Sequence, residues 1–187
     1  LEATPRRFWL AGATGFLGSH LCRDLRTRGH QVIAVSRRGG DAVAALDVCD
    51  KDEVAVSARG CDGAFLCTGK VSRDPADAEQ LHRHNVVATR NALAGLRQAG
   101  VRRVVVASTS GTIAVSSDAS QIADEESSAP MDLIARWPYY RSKLYGEREA
   151  LGANAPEFEV VIVNPSLLLG PGDLQGSSTI DVQRFLE

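Results

Sequence analysis

Tyr139 and Lys143 stand four residues apart behind Pro138, in the run Pro138-Tyr139-Tyr140-Arg141-Ser142-Lys143. Residues four apart on a helix share one face, so a helix here would project the phenol and the ammonium together. Proline suits the first helical position, where its missing N–H costs nothing. A phenol ordinarily holds its proton to a pKa of about 10, and a fixed ammonium nearby favours the phenolate. A drop of about three units, worth about 4 kcal/mol, would make the tyrosine a general acid/base near neutral pH. The spacing alone also fits an ordinary amphipathic surface. A second group gives it weight. Ser108-Thr109-Ser110-Gly111 follows the apolar run Arg103–Ala107. A hydroxyl at such a strand end can hydrogen-bond a carbonyl or alcohol oxygen beside the tyrosine, while one or two of its neighbours cap the strand.

The other chemistry-bearing stretch opens the chain. An apolar strand, Phe8 to Ala11, runs into Gly12-Ala13-Thr14-Gly15-Phe16-Leu17-Gly18, and a helix-like segment from Phe16 to Arg28 follows at once. Glycine permits the tight turn and lets the backbone approach a pyrophosphate closely. The helix then aims its free N–H groups and positive dipole end at the phosphates. A strand before and a helix after are the context that a dinucleotide site requires. The second strand ends Val35-Ser36-Arg37-Arg38-Gly39, with no carboxylate to accept from a ribose 2′-hydroxyl. An arginine fork suits a phosphate instead. The expected cofactor is NADP, with Arg37 as the main 2′-phosphate contact and Ser36 or Arg38 assisting. The alternative is NAD, with both arginines as solvated loop charges.

The elements that must position these groups alternate. Strands fit 7–11, 31–36, 44–47, 63–67, 103–108 and 159–164, and helices fit 16–28, 51–58, 75–99 and 138–152. Continuously apolar strands such as Val104-Val105-Val106-Ala107 suit a parallel sheet covered on both faces. Gly29, Gly60 and Gly100 stand where helices stop. The sum is an α/β fold, a doubly wound parallel sheet with ligands at the carboxyl ends of its strands. Residues 1–166 form the dinucleotide-binding domain in this reading. Residues 167–187 begin another unit, with a helix starting at Ser178. The polar stretch between Ser110 and Tyr139, carrying Asp118, Asp124, Glu125 and Glu126, reads as a substrate-contacting loop or a solvated acidic one.

Composition sets the outer bounds. The chain has 187 residues, about one domain's worth, with 44% apolar and 24% charged content. A net charge of −2 gives no footprint for nucleic acid or an anionic membrane. No apolar run approaches the roughly 18 residues of a bilayer span, and no signal peptide opens the chain, which reads as cytoplasmic. Cys22, Cys49, Cys61 and Cys67 lack metal-ligand spacing and read as buried free thiols. His82 and His84 lack partners at ligand spacing and read as solvent-facing. No metal is expected.

Together these motifs strongly resemble the extended branch of the short-chain dehydrogenase/reductase superfamily, whose core is a Rossmann fold. That branch holds nucleotide-sugar epimerases and dehydratases and the dihydroflavonol reductase-like enzymes. The matching residues are Gly12 to Gly18, Asp47-Val48, Asn85-Val86, Ser108 to Thr112, Tyr139 to Lys143, Asn164-Pro165-Ser166 and Gly170-Pro171-Gly172. The resemblance implies that Tyr139 is the acid/base. Lys143 would hold the nicotinamide ribose and depress the tyrosine pKa, Ser110 would orient the substrate oxygen, and Asn85 would support the lysine. It further implies that Asp47 and Val48 flank the adenine, that Cys67, Thr68 and Gly69 lie beneath the dinucleotide with Ser108 near them, and that Pro165 borders the nicotinamide.

The function so implied is an NADP-dependent oxidoreductase acting on a carbonyl/alcohol carbon, dihydroflavonol reductase-like. The alternatives are an NAD-dependent nucleotide-sugar epimerase or dehydratase, and a non-catalytic dinucleotide-sensing regulator. Retention of the tyrosine, lysine and serine together counts against the regulator. Apolar spacing along Val86–Leu96 and Leu144–Leu151 fits core packing, or the paired helices of a homodimer as in the family. The branch carries a further substrate domain, most of which is absent from this chain.

Overall fold

A computed structural model describes residues 4–173 and 179–187. Six strands, β1 (Arg7–Ala11), β2 (Gln31–Ser36), β3 (Ala44–Ala45), β4 (Gly63–Leu66), β5 (Arg103–Ala107) and β6 (Glu159–Val163), form one parallel sheet. Seven α-helices accompany them among the described residues: α1 (Phe16–Thr27), α2 (Lys51–Ser57), α3 (Ala78–His82), α4 (Ala88–Gln98), α5 (Met131–Ile134), α6 (Pro138–Ala153) and α7 (Thr179–Leu186). The strand order is β3-β2-β1-β4-β5-β6. The chain therefore winds outward from β1 to β3, then returns to the other side of β1 with β4. The connections after β1 and β4 lead to helices on opposite faces of the sheet, α1 and α4, which opens the crevice where doubly wound sheets bind ligands.

Strand periodicity divides the core between the two faces. Trp9, Ala11, Val35, Ala64, Leu66, Val104, Val106 and Val160 point to one side, against Val54 of α2, Leu93 and Leu96 of α4, and Ala150 of α6. Leu10 and Ala34 point to the other, against Cys22 and Leu25 of α1. That second face is not covered throughout, because Val161 and Val163 of β6 are 37% and 42% exposed. Helix α2 starts where Asp50 accepts hydrogen bonds from the Asp52 and Glu53 amides, both at 3.0 Å.

Most predicted boundaries lie within a residue of the observed ones. Three expectations need correction. The third strand is only Ala44–Ala45, an edge pairing with Val35 and Ser36. The single helix predicted over 75–99 is a tight turn at Pro75–Asp77, then α3, then one wide π-helical turn at Arg83–Val87, then α4. In that π turn the Ala88 amide reaches back to the Arg83 carbonyl. The stretch read as a loop between Ser110 and Tyr139 contains α5, held down by the fully buried Ile134.

All four cysteines are free, but only Cys22 and Cys61 are buried, while Cys49 and Cys67 are half-buried. Ser178, the predicted first residue of the last helix, lies outside the described residues. No helix among the described residues is long and apolar enough to cross a membrane.

Candidate active site

The turn after β1 is built for close approach. The Gly12 and Ala13 amides donate to the Val35 carbonyl at 3.0 and 3.2 Å, and the Cys67 amide donates to the Ala11 carbonyl at 3.0 Å. Gly12 sits at φ 81°, and a Cβ there would stand 2.5 Å from the Cys67 carbonyl oxygen. A Cβ at Gly18 would overlap the Gly12 carbonyl. Gly15 begins α1 with no side-chain cap, so the first-turn amides of Phe16, Leu17 and Gly18 keep no side-chain acceptor. Thr14 and Gly15 are exposed at the crevice, with Phe16 and Leu17 half-buried beside them. A pyrophosphate fits this cradle, since the first-turn amides are uncapped and the helix dipole favours an anion there, and a side chain at Gly12 or Gly18 would push apart the backbone that forms it. The chain returns over it late: the His20 ring meets the Pro171 carbonyl at 2.8 Å, and a Cβ at Gly170 would stand 3.3 Å from the Phe16 ring.

The second half of the site rests on α6. Lys143 Nζ donates to the Ala107 carbonyl at 2.7 Å, at the end of β5. Burial pulls its pKa from 10.5 down to about 8, while Glu147 and then Cys67 act to raise it. Burial pushes the Cys67 thiol up to about 11. A Cβ at Gly69 would lie 3.0 Å from Asn85 Oδ1 and 3.8 Å from Lys143 Nζ, so the turn after β4 (Cys67, Thr68, Gly69) reaches the lysine directly. Asn85, on the π turn, clasps the Lys70 backbone: its Oδ1 accepts from the Lys70 amide at 2.8 Å and its Nδ2 donates to the Lys70 carbonyl at 2.9 Å. The same Nδ2 donates to Ser142 Oγ at 2.9 Å, which ties β4, the π turn and α6 together.

The Tyr139 phenol departs from expectation. Burial comes first and Tyr140 second in pushing its pKa up, against a hydrogen bond with the Thr109 side chain that lowers it. Lys143 is not among the groups acting on it, because its ammonium is turned to Ala107. The expected depression of the tyrosine pKa by the lysine is therefore absent from this arrangement. Burial thus favours the protonated phenol.

The three strand-end hydroxyls divide. Ser108 is buried and its Oγ donates to Glu147 Oε1, so it serves α6 rather than the crevice. Thr109 accepts from the Gly111 amide at 3.3 Å and faces Tyr139. The Ser110 amide donates to the Pro165 carbonyl at 2.9 Å, which draws the two segments together beside Tyr139's neighbour Thr109. Glu147, which sequence reasoning missed, is buried and collects three donors on Oε1: Ser108 Oγ, Thr112 Oγ1 at 2.8 Å and Asn164 Nδ2 at 2.7 Å. Its spacing of four from Lys143 and eight from Tyr139 was the available signal.

At the outer end of the crevice, Arg37 and Arg38 are exposed beyond β2. Ser36 is buried and donates to the Gly39 carbonyl at 3.3 Å. Asp47 Oδ1 accepts from the Cys49 amide at 3.0 Å, and Val48 packs into the main core. His84 corrects an expectation: it is half-buried, with its Nε2 3.3 Å from the Arg37 guanidinium, not turned to solvent. A groove of about 660 Å³ lies far from all of this, at the amino ends of the strands between Arg6, Asp62, Arg103 and Glu159.

Comparisons with known proteins agree with this architecture. The model of the NAD dependent epimerase/dehydratase family matches residues 9–187. The chain belongs to that family. A Synechocystis sp. protein named for dihydroflavonol 4-reductase is 35% identical over 188 residues, covering 96% of this chain and 54% of its own length. The 2-alkyl-3-oxoalkanoate reductase of Stenotrophomonas maltophilia is 32% identical, covering 89% of this chain and 52% of its own. Among solved structures, MoeE5 in complex with UDP-glucose and NAD superposes with a TM-score of 0.70 at 29% identity, over 83% of this chain and 52% of its own. The chain spans about half the length of the curated relatives it matches.

Proposed function

We propose that this chain carries the coenzyme site and the proton-transferring group of an NADP-dependent oxidoreductase that interconverts a carbonyl and an alcohol. Gly12 to Gly18 hold the pyrophosphate against the start of α1, and Arg37, helped by Arg38, receives the 2′-phosphate. Cys67, Thr68 and Gly69 form the floor, and Pro165 borders the nicotinamide end. The bound dinucleotide supplies or accepts the hydride. Tyr139 gives its phenolic proton to the substrate oxygen in reduction and takes it back in oxidation. Lys143 holds the ribose from beside Ala107, and Ser110 with Thr109 orients the substrate oxygen. Asn85 keeps α6 in register with the turn after β4.

The observation that carries this reading is Lys143 Nζ seated on the Ala107 carbonyl, one turn of α6 from Tyr139 and at the strand end that bears the hydroxyls. The test is direct binding of NADPH and NADH to the wild-type chain and to Arg37→Asp. Tighter binding of NADPH, lost in the variant, supports it. Equal or NADH-favouring binding by the wild type overturns it.

A second reading, an epimerase or dehydratase that retains NAD, draws on the similarity to a protein solved with UDP-glucose and NAD. It predicts a tightly held nucleotide that co-purifies and no net consumption of added NADPH with any carbonyl compound.

A further inference from the structure

Arg37 and His84 lie 47 residues apart in sequence yet meet at the outer end of the crevice, with Arg37 Nη1 3.3 Å from His84 Nε2. A guanidinium has only donors, so the imidazole accepts here and its Nε2 carries no proton. The contact depends on the π turn, whose extra residue turns His84 toward β2 while Asn85, next in the chain, faces Lys70 and Ser142. The charges around the ring come from every neighbouring element: Arg37 beyond β2, Asp47 beyond β3, Lys70 beyond β4 and Arg83 on the π turn itself. Three of these have other partners: Lys70 pairs with Asp77 at 3.2 Å, Arg83 reaches the Cys49 thiol, and Asp47, still charged, accepts from the Cys49 amide. The surroundings of the ring are thus dominated by cations that would welcome an anion.

We propose that His84 is a proton-operated part of the site for the coenzyme's 2′-phosphate, neutral while Arg37 lies on it and protonated when a phosphate dianion comes between them. This rests on the NADP reading above and adds to it a dependence of coenzyme choice on pH. Without the anion, burial first and then Arg37 and Arg83 hold the His84 pKa below its ordinary value. With the dianion present, opposite charge at contact raises it. Binding then takes up a proton from solution. Affinity for the 2′-phosphate consequently rises as pH falls from above neutrality toward histidine's ordinary value of about 6.5. Protonation of the phosphate itself, near pH 6, works in the opposite direction. A variant without the imidazole isolates the histidine's share.

The experiment is calorimetric binding of adenosine 2′,5′-bisphosphate, 5′-AMP and inorganic phosphate to the wild-type chain, His84→Gln, His84→Asn and Arg37→Ala, from pH 6 to 8. The readout is the preference for the bisphosphate over 5′-AMP. Relative to both histidine variants, the wild type gains about fivefold in this preference between pH 8 and pH 6, for an average uptake of about a third of a proton over that range. Proton uptake, read from the change of binding heat with the ionisation heat of the buffer, is larger for the wild type than for the variants, whose heats carry only the phosphate's own ionisation. Identical pH dependence in the wild type and both variants overturns the proposal while leaving the NADP reading intact. A wild type with no preference at any pH overturns both. Inorganic phosphate bound as tightly as the bisphosphate, with the same loss in His84→Gln, overturns the assignment to the coenzyme.

Discussion

Lys143 and Glu147 lie one turn apart on α6 and serve opposite ends of the same strand terminus. The ammonium takes the Ala107 carbonyl at 2.7 Å, and the carboxylate gathers Ser108, Thr112 and Asn164. The helix that carries Tyr139 is thereby fastened at two points to the segment that carries Ser108, Thr109 and Ser110. Removing the carboxylate leaves the buried Ser108 hydroxyl without its acceptor, while Thr112 Oγ1 and Asn164 Nδ2 keep the Thr109 carbonyl at 2.8 and 3.0 Å. Glu147→Ala should cost about 1–3 kcal/mol of unfolding free energy, the cost of one orphaned buried donor. Glu147→Gln retains an oxygen at the same place and should cost clearly less. Urea denaturation of both variants checks the order, and equal losses would remove the carboxylate from this role.

Burial holds Lys143 at a pKa of about 8. The unfolded chain keeps the ordinary value of about 10.4, so between these values it binds more protons than the folded one. The sign follows. The cost of the buried ammonium is fully present below pH 8 and fades as pH rises toward 10.4. Lys143→Met should therefore raise the melting temperature at pH 7, with the gain shrinking toward pH 10, while turnover is lost. A variant that melts lower than the wild type at pH 7 would show that the Ala107 and Glu147 contacts outweigh burial.

The phenol of Tyr139 is raised by burial. In the dinucleotide-free protein it should titrate above the ordinary tyrosine value of about 10. The difference in ultraviolet titration between the wild type and Tyr139→Phe isolates it. The same substitution should lower turnover by about 10²- to 10⁴-fold, the usual share of a positioned acid, while changing coenzyme affinity little.

Gly146 is where α6 crosses the π turn, and a Cβ there would overlap the Asn85 carbonyl. Gly95 plays the same part between α4 and α2, where a Cβ would stand 2.8 Å from Val54 Cβ. Overpacking at either position should cost about 1–3 kcal/mol. Only Gly146→Ala should also weaken coenzyme binding, because only it displaces Asn85 from Lys70 and Ser142. Binding measured on the two variants at matched stability separates the effects.

The sequence by itself determined the alternation of strands and helices, the glycine turn before α1 and the shared face of Tyr139 and Lys143. Each of these is local: a period of two or of 3.6, a residue type at a fixed offset, a proline at a helix start. Only the tertiary structure decided that His84 meets Arg37, that Ser108 turns to Glu147 rather than to the crevice, and that Lys143 donates to Ala107. Those contacts join residues between 36 and 47 positions apart. Nothing in the intervening chain sets them. They depend on how far the π turn rotates one helix and how deeply α6 sinks against β5, and packing of the whole sheet fixes both.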